Sequence, residues 1–221
     1  FKAGRDETPG FGNRIRSRVS RFLSLNPRLF RLGAVQRAFA ARRMAEDSIM
    51  LYDAACSVAQ RHYCVDSSKS PFRFRAIHDL QPGRTLGIVL VRDYRAVVHS
   101  KMRRRRSLEA SARGWRVKMD QIDAMTRDLP ADSVRALKYE SLCENPVFEL
   151  SKLCEFIGVT FTEEMIRRPN EDIHHIGGSP SKSDGGRRAI VLDRSYEGAF
   201  DSSALEAMKS IVGDSADRWG Y

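Results

Sequence analysis

The order of apolar and polar residues along this chain predicts an α/β fold. Residues 87–91, GIVLV, form a continuous apolar run, which is typical of a strand covered on both faces of a parallel sheet. Two further short strands are predicted at Arg61–Asp66 and Val134–Tyr139. The segment after Asp93 returns to helical spacing, as expected where a helix connects parallel strands.

Helices are predicted over much of the remaining chain. Pro146 suits the first turn of one helix and Gly158 suits its C-terminal cap, while Trp115 is expected in the core. No internal repeat or low-complexity linker is found, so residues 1–221 are predicted to form one domain, with 1–59 helical. The predicted helices run from Leu29 or Val35 to Ala59, from Pro71 to Leu80, through Trp115 as far as Pro130, over Glu149–Ile157 and over Ser203–Trp219.

Arg92 and Ser100 form the first candidate site. Arg92 directly follows the apolar run, so it is expected at the carboxyl end of a strand, where open α/β sheets bind ligands. Ser100 lies about two turns into the following helix, and a long arginine side chain can bend back towards it. The pair is therefore predicted to bind a phosphate group.

Two loops are further candidates for anion binding. In Ser67–Pro71 the sequence SSKSP places Lys69 among hydroxyl groups, which combines a movable charge with hydrogen-bond donors. The same pattern is also ordinary turn chemistry. The segment His174–Arg188 is rich in glycine and basic residues, so its backbone could approach a phosphate closely. Its alternative interpretation is an exposed loop, and its adjacent histidines do not predict a metal site.

Two motifs in order resemble the sulfotransferases that use 3'-phosphoadenosine 5'-phosphosulfate (PAPS). Arg92, Asp93, Arg95 and Ser100 match the pattern R-D-x-R-x-x-x-x-S, which in that family binds the 3'-phosphate. Residues 139–146 match Y-E-x-L-x-x-N-P, and a helix ending in F-x-G follows them. Either motif alone is a weak match, but both together are fairly specific.

The resemblance implies a three-layer, mostly parallel, P-loop-NTPase-like fold and a transferase that uses PAPS as co-substrate without a metal ion. Tyr139 would touch the adenine, although an ordinary amphipathic tyrosine at a strand end is an equal alternative. Lys69 would lie near the transferred sulfuryl group as the catalytic residue. The implied donor-binding residues are Arg92, Ser100, Tyr139, Lys182, Arg187 and Arg188, the last three as alternatives within one loop.

The chain departs from the family in two respects. It lacks the P-R-S-G-T-[ST] loop that holds the 5'-phosphosulfate, so the resemblance covers residues 60–221 and the fold is expected to be N-terminally incomplete. The chain begins with Phe1, and this fragment alone could bind the donor poorly. Pro71 replaces the histidine that serves some members as the base, which leaves four candidates open. They are Asp66, His78, Glu140 and His175.

Composition limits the other functional classes. A net charge of +10 over 221 residues favours an anionic partner. A nucleic-acid-binding module is one alternative, supported by the run Arg103–Arg106. Such a run is usually a solvated surface, and its other interpretation is a rim that attracts an anionic donor or acceptor. A nucleotide kinase or other NTPase is another, but the chain has no G-x-x-x-x-G-K-[ST] loop. The acceptor is expected to be a small molecule or a carbohydrate, and no nucleic acid partner is expected.

Cellular location follows from weaker signals. No apolar run approaches the roughly 20 residues of a membrane span, so a cytoplasmic location is expected. The basic amphipathic segment Arg14–Asn26 leaves contact with a membrane surface open. The four cysteines show no metal-binding spacing and are expected to be free thiols.

Overall fold

The computed structural model describes residues 27–166 and 190–221, with the side chains from residue 38 onward. Two compact units meet in the sequence between Gln81 and Pro82, and each is described by itself. Whether the two units together form one domain, as the sequence predicts, stays a prediction. No helix in the described part of the chain is long and apolar enough to cross a membrane.

The first unit contains two packed helices, α1 (Pro27–Ala59) and α2 (Pro71–Leu80), at the predicted positions. Helix α2 begins with Pro71, whose missing N–H costs nothing in the first turn, and the Ser70 hydroxyl accepts a hydrogen bond from the Arg73 amide at 3.3 Å. The Arg73 guanidinium also donates to the Ser48 hydroxyl of α1 at 2.9 Å. These contacts join the two helices.

The strand predicted at Arg61–Asp66 is wrong, because these residues form an irregular loop. The side chain of Val65 is 87% exposed, so the apolar residues of this segment bury too little surface to stabilise a strand. Asp66 instead fixes the loop through its carboxylate, which accepts hydrogen bonds from the Tyr52 hydroxyl and the Ser68 amide and pairs with Arg73.

The second unit contains a parallel two-stranded sheet, which confirms the two other predicted strands. Strand β1 (Gly87–Val91) pairs in register with β2 (Val134–Lys138), from Gly87 opposite Val134 to Val91 opposite Lys138. Two helices connect the strands, α3 (Tyr94–Met102) and α4 (Leu108–Thr126). Their N-termini are capped by the side chains of Asp93 and Ser107.

The main core lies on one side of β1. Val91 packs there with Val98 of α3, Trp115 of α4 and apolar residues of the C-terminal helices, so the prediction of Trp115 as a core residue is confirmed. Strand β1 is not covered on both faces as predicted, since Ile88 is 45% and Leu90 is 53% exposed. The physical reason is that, within the described ranges, the core that contains β1 residues packs on its Val89 and Val91 side.

The remaining helices close the unit. Helix α5 (Tyr139–Glu144) follows β2 directly, and α6 (Pro146–Ile157) ends at Gly158 in the left-handed conformation predicted for its cap, with φ 80°. The single C-terminal helix predicted at Ser203–Trp219 is instead two helices, α7 (Ser202–Val212) and α8 (Asp214–Arg218). Gly213 separates them, because its φ of 51° and ψ of −148° are incompatible with a continuous helix.

Candidate functional site

A cleft of about 220 Å³ extends from Arg92, just after β1, along α3 to Arg104, just after the end of that helix. Arg92 and Ser100 both line it, so the structure brings together the two residues that the strand-to-helix spacing places near each other. Three other residues also line the cleft, namely Val97, Lys101 and Arg104. Of these, only Arg104 is a candidate for anion binding from the sequence, as part of the run Arg103–Arg106.

Arg92 is held by contacts on several sides. Its Nη2 donates to the backbone oxygen of Asp193 at 3.1 Å and to the Asp193 carboxylate at 3.0 Å. Its guanidinium carbon lies 4.5 Å from the centroid of the Tyr139 ring, within range of a cation–π interaction. Its Nε is buried and has no hydrogen-bond partner among the described residues, so the guanidinium retains a donor for a ligand.

Asp193 is the carboxylate that faces this cation. Hydrogen bonds from Ser195 are the main cause that lowers the pKa of Asp193 to about 2, and the bond from Arg92 adds to it. The pKa is depressed below its ordinary value, so this ion pair is complete above about pH 4 and is lost as the pH falls through about 2. At neutral pH Asp193 is therefore an anion bound to Arg92.

Tyr139 lies at the junction of β2 and α5, as the Y-E motif predicts. Its hydroxyl lies 3.4 Å from the backbone oxygen of Val191, and one face of its ring packs against the Arg92 guanidinium. Burial is the main cause that raises the pKa of Tyr139, so the phenol is neutral at physiological pH. The contact of Tyr139 with adenine stays a prediction.

A hydrogen-bonded frame supports the two loops that carry Arg92 and Tyr139. The Glu140 carboxylate accepts a hydrogen bond from the backbone amide of Asp93 at 3.0 Å and another from the Tyr221 hydroxyl. The Tyr221 hydroxyl also lies 3.2 Å from the backbone oxygen of Val91. Glu140 thus ties the end of β1 to the end of β2, and its engaged carboxylate argues for a structural role over the role of a base.

The predicted site also includes Lys69 and residues of one glycine-rich loop. Lys69 belongs to the first unit, where it is exposed and has a backbone φ of 60°, an uncommon conformation for a residue with a side chain. Its catalytic role stays a prediction. The other predicted donor ligands lie outside the described residues, as does the candidate base His175. These ligands are Lys182, Arg187 and Arg188.

Two of the other candidate bases have structural contacts in the first unit. Asp66 binds the Tyr52 hydroxyl, the Ser68 amide and Arg73. His78 is buried at 4% exposure within α2, and its ring packs against that of Phe74. Both side chains are therefore parts of the local packing in this unit, and the identity of the base stays open.

Comparison with known proteins gives a family match and two structural likenesses. A model described as the sulfotransferase family matches residues 6–163, beginning well before the motifs at residues 92–158. The sulfotransferase domain from the curacin biosynthetic pathway is 20% identical with a TM-score of 0.49, covering 69% of this chain and 59% of that one. The sulfotransferase domain from the Synechococcus PCC 7002 olefin synthase is 22% identical with a TM-score of 0.46, covering 63% and 55%. No curated protein matches.

Proposed function

The chain belongs to the sulfotransferase family, and from this premise we propose that it transfers a sulfuryl group from PAPS to a hydroxyl or amine. The observation that carries the choice of donor is the cleft in which Arg92 and Ser100 converge. A 3'-phosphate distinguishes PAPS from other adenosine sulfates, and this cleft offers a cation and a hydroxyl for it. The chain spans 59% and 55% of the two sulfotransferase domains it resembles, so the activity of a whole protein is part of the proposal.

The reaction is a single displacement at sulfur. The lone pair of the acceptor oxygen or nitrogen forms a bond to sulfur, while the bond from sulfur to the 5'-phosphate oxygen breaks. The electron pair of the broken bond remains on that phosphate, which leaves as adenosine 3',5'-bisphosphate, and the acceptor proton passes to a base. Fixed cations can offset the charge on the leaving phosphate, as they do in phosphoryl transfer, without a metal ion.

The described residues fit a phosphate group on two grounds. The buried Nε of Arg92 lacks a partner among them, and it could donate a hydrogen bond to an anionic oxygen. The Asp193 carboxylate already accepts a hydrogen bond from Nη2 of Arg92, at a position that a phosphate oxygen could take. Arg92 and Ser100 would hold the 3'-phosphate, and Tyr139 would contact adenine through the parts of its ring that Arg92 leaves open.

The rest of the donor site is proposed from the sequence. Lys69 would act on the sulfuryl group or the leaving oxygen, and one or more of Lys182, Arg187 and Arg188 would complete the phosphate site. We also retain the three-layer, P-loop-NTPase-like arrangement as the proposed architecture around the parallel strands. The acceptor is proposed to be a small molecule or a carbohydrate, and nucleic acid is not part of the proposal.

A binding experiment with two nucleotides tests the donor assignment. Adenosine 3',5'-bisphosphate and adenosine 5'-monophosphate differ only in the 3'-phosphate, so calorimetry at one ionic strength isolates the contribution of that group. We expect the bisphosphate to bind at least about ten-fold more tightly, since charge-assisted hydrogen bonds are the strong ones. Equal affinities for the two nucleotides would mean that the cleft does not bind the 3'-phosphate. Displacement of the bisphosphate by duplex DNA at matched salt would favour the nucleic-acid alternative.

Replacing Asp193 by asparagine is expected to tighten binding of the bisphosphate by about three- to ten-fold. The carboxylate competes with the ligand for Arg92, and the apparent affinity is the intrinsic affinity multiplied by the fraction of molecules in which that pair is open. The gain is modest because the Asp193 side chain is 48% exposed and solvent screens the pair. Calorimetry of the variant and the wild type with adenosine 3',5'-bisphosphate measures this change in affinity.

A matched control for this substitution is Glu144→Gln. Glu144 is a carboxylate of similar exposure, 51%, that pairs with Arg194 and, within the described ranges, does not line the cleft. This variant removes the same negative charge and should leave bisphosphate affinity within about two-fold, because exposed pairs contribute little. Weaker binding by Asp193→Asn than by the wild type would instead mean that Asp193 positions Arg92 for the ligand.

A further inference from the structure

We propose that Lys101 and Arg104 are part of the phosphate site and bind the 3'-phosphate together with Arg92 and Ser100. The proposal rests on the proposed function and deepens it, since neither residue belongs to the motifs that suggested the donor. Both line the cleft with Arg92 and Ser100. Val97, Ser100, Lys101 and Arg104 have the spacing i, i+3, i+4 and i+7, which places them along one side of α3 and its C-terminal extension.

Neither cation is neutralised within the described part of the chain. The carboxylates described there form their ion pairs with other basic residues, and the only acidic group that reaches this cleft is Asp193, through Arg92. Lys101 is half-buried, and burial is the main cause that lowers its pKa, with repulsion from Arg106 second. A cation held in such a place is costly unless an anion comes close to it.

The position of Ser100 explains why more than one cation is needed. Ser100 lies in the last turn of α3, which ends at Met102. The C-terminal end of a helix carries a partial negative charge, equivalent to roughly half an elementary charge, which disfavours a phosphate there. Lys101 and Arg104 lie at this same helix end and are placed to offset both the dipole and the charge of the ligand.

The charges of the cleft match a dianion. Arg92, Lys101 and Arg104 supply three positive charges, and Asp193 on Arg92 removes one, which leaves two. A phosphate monoester carries close to two negative charges at neutral pH, because its second pKa is about 6. Arg103, Arg104 and Arg105 are all exposed, but of these three only Arg104 lines the cleft.

The test compares variants that lack a cation of the cleft with a variant that lacks a neighbouring cation outside the cleft. Lys101→Met and Arg104→Gln remove cations from the cleft, and Arg103→Gln is the matched control, since it removes the same charge one residue away. Calorimetry with adenosine 3',5'-bisphosphate and with adenosine 5'-monophosphate should show that each cleft variant binds the bisphosphate about ten-fold more weakly. Binding of the monophosphate should change by less than about two-fold, as should both affinities of Arg103→Gln.

Each other outcome overturns the proposal in a distinguishable way. Equal losses in all three variants mean that only the general positive field acts, and the proposal fails while the donor assignment stands. If the cleft variants lose affinity equally for the bisphosphate and the monophosphate, the two cations do not bind the 3'-phosphate. If the wild type itself fails to distinguish the nucleotides, the proposal and the donor assignment fail together. Circular dichroism of each variant verifies that it is folded.

Discussion

Replacing Arg92 by methionine is expected to weaken binding of adenosine 3',5'-bisphosphate by about 100-fold. Hydrogen bonds to charged groups contribute about 1.5–3 kcal/mol each, and about 1.4 kcal/mol is a factor of ten in affinity. Arg92 offers two such donors, Nε without a partner among the described residues and Nη2, which now binds Asp193. Methionine keeps an apolar stem against Tyr139, so the measurement by calorimetry isolates the loss of the guanidinium.

The control for this variant is Arg127→Met. Arg127 is an exposed arginine at the end of α4 that pairs only locally with Asp123, and its replacement changes the net charge of the protein equally. We expect its affinity for the bisphosphate to stay within about two-fold of the wild type. If Arg92→Met bound the nucleotide as well as Arg127→Met does, Arg92 would not be a phosphate ligand.

The convergence of Arg92 and Ser100 could be predicted because it depends on local structure alone. An apolar strand followed by a capped helix fixes the distance between the strand end and the second helical turn. The same is true of Tyr139, which follows β2, and of the cap at Gly158, where the chain needs a positive φ. The structure at each of these positions is determined by residues that are close to it in the sequence.

The partner of Arg92 could not be predicted in this way. Asp193 is 101 residues away in the sequence, and its contact depends on how the chain returns to the end of β1. Lys101 and Arg104 belong to a basic stretch whose usual interpretation is a solvated surface, and only the direction of α3 shows which cations face the cleft. Once Val97 is known to line the cleft, the helical spacing accounts for both cations, since they follow it by four and seven residues.

The errors in the fold prediction have a related cause. The segment Arg61–Asp66 has the composition of a strand, but the structure provides no burial for Val65, so the local preference is overridden. The interruption at Gly213 was missed because a glycine inside a helical pattern is often tolerated.

The supporting frame shows how the fold prepares the cleft. The Glu140 carboxylate joins the Asp93 amide to the Tyr221 hydroxyl, and Trp115 donates from Nε1 to the backbone oxygen of Arg92 at 3.0 Å. The backbone of Arg92 is therefore fixed by the core, while its side chain reaches the cleft. Packing of the core and the geometry of the candidate site are coupled at this point.

Replacing Trp115 by alanine is expected to destabilise the unit of residues 82–221 by about 3–5 kcal/mol. Trp115 is only 3% exposed and packs edge-to-face on Tyr94 and Tyr221, so its removal leaves a large cavity and an unpaired carbonyl at Arg92. Urea unfolding followed by circular dichroism measures the loss. Val117→Ala in the same helix is the control, since Val117 is 47% exposed and should cost less than about 1 kcal/mol.

Trp115→Phe separates packing from the hydrogen bond to Arg92. Phenylalanine retains most of the apolar contact but cannot donate to the Arg92 carbonyl, and we expect a loss of about 1–3 kcal/mol. Because this carbonyl belongs to the residue that would hold the phosphate, the variant should also bind the bisphosphate more weakly under conditions in which it is fully folded. Unchanged stability in Trp115→Ala would contradict the assignment of Trp115 to the core. Unchanged affinity for the bisphosphate in folded Trp115→Phe would mean that the hydrogen bond from Trp115 to Arg92 does not contribute to nucleotide binding.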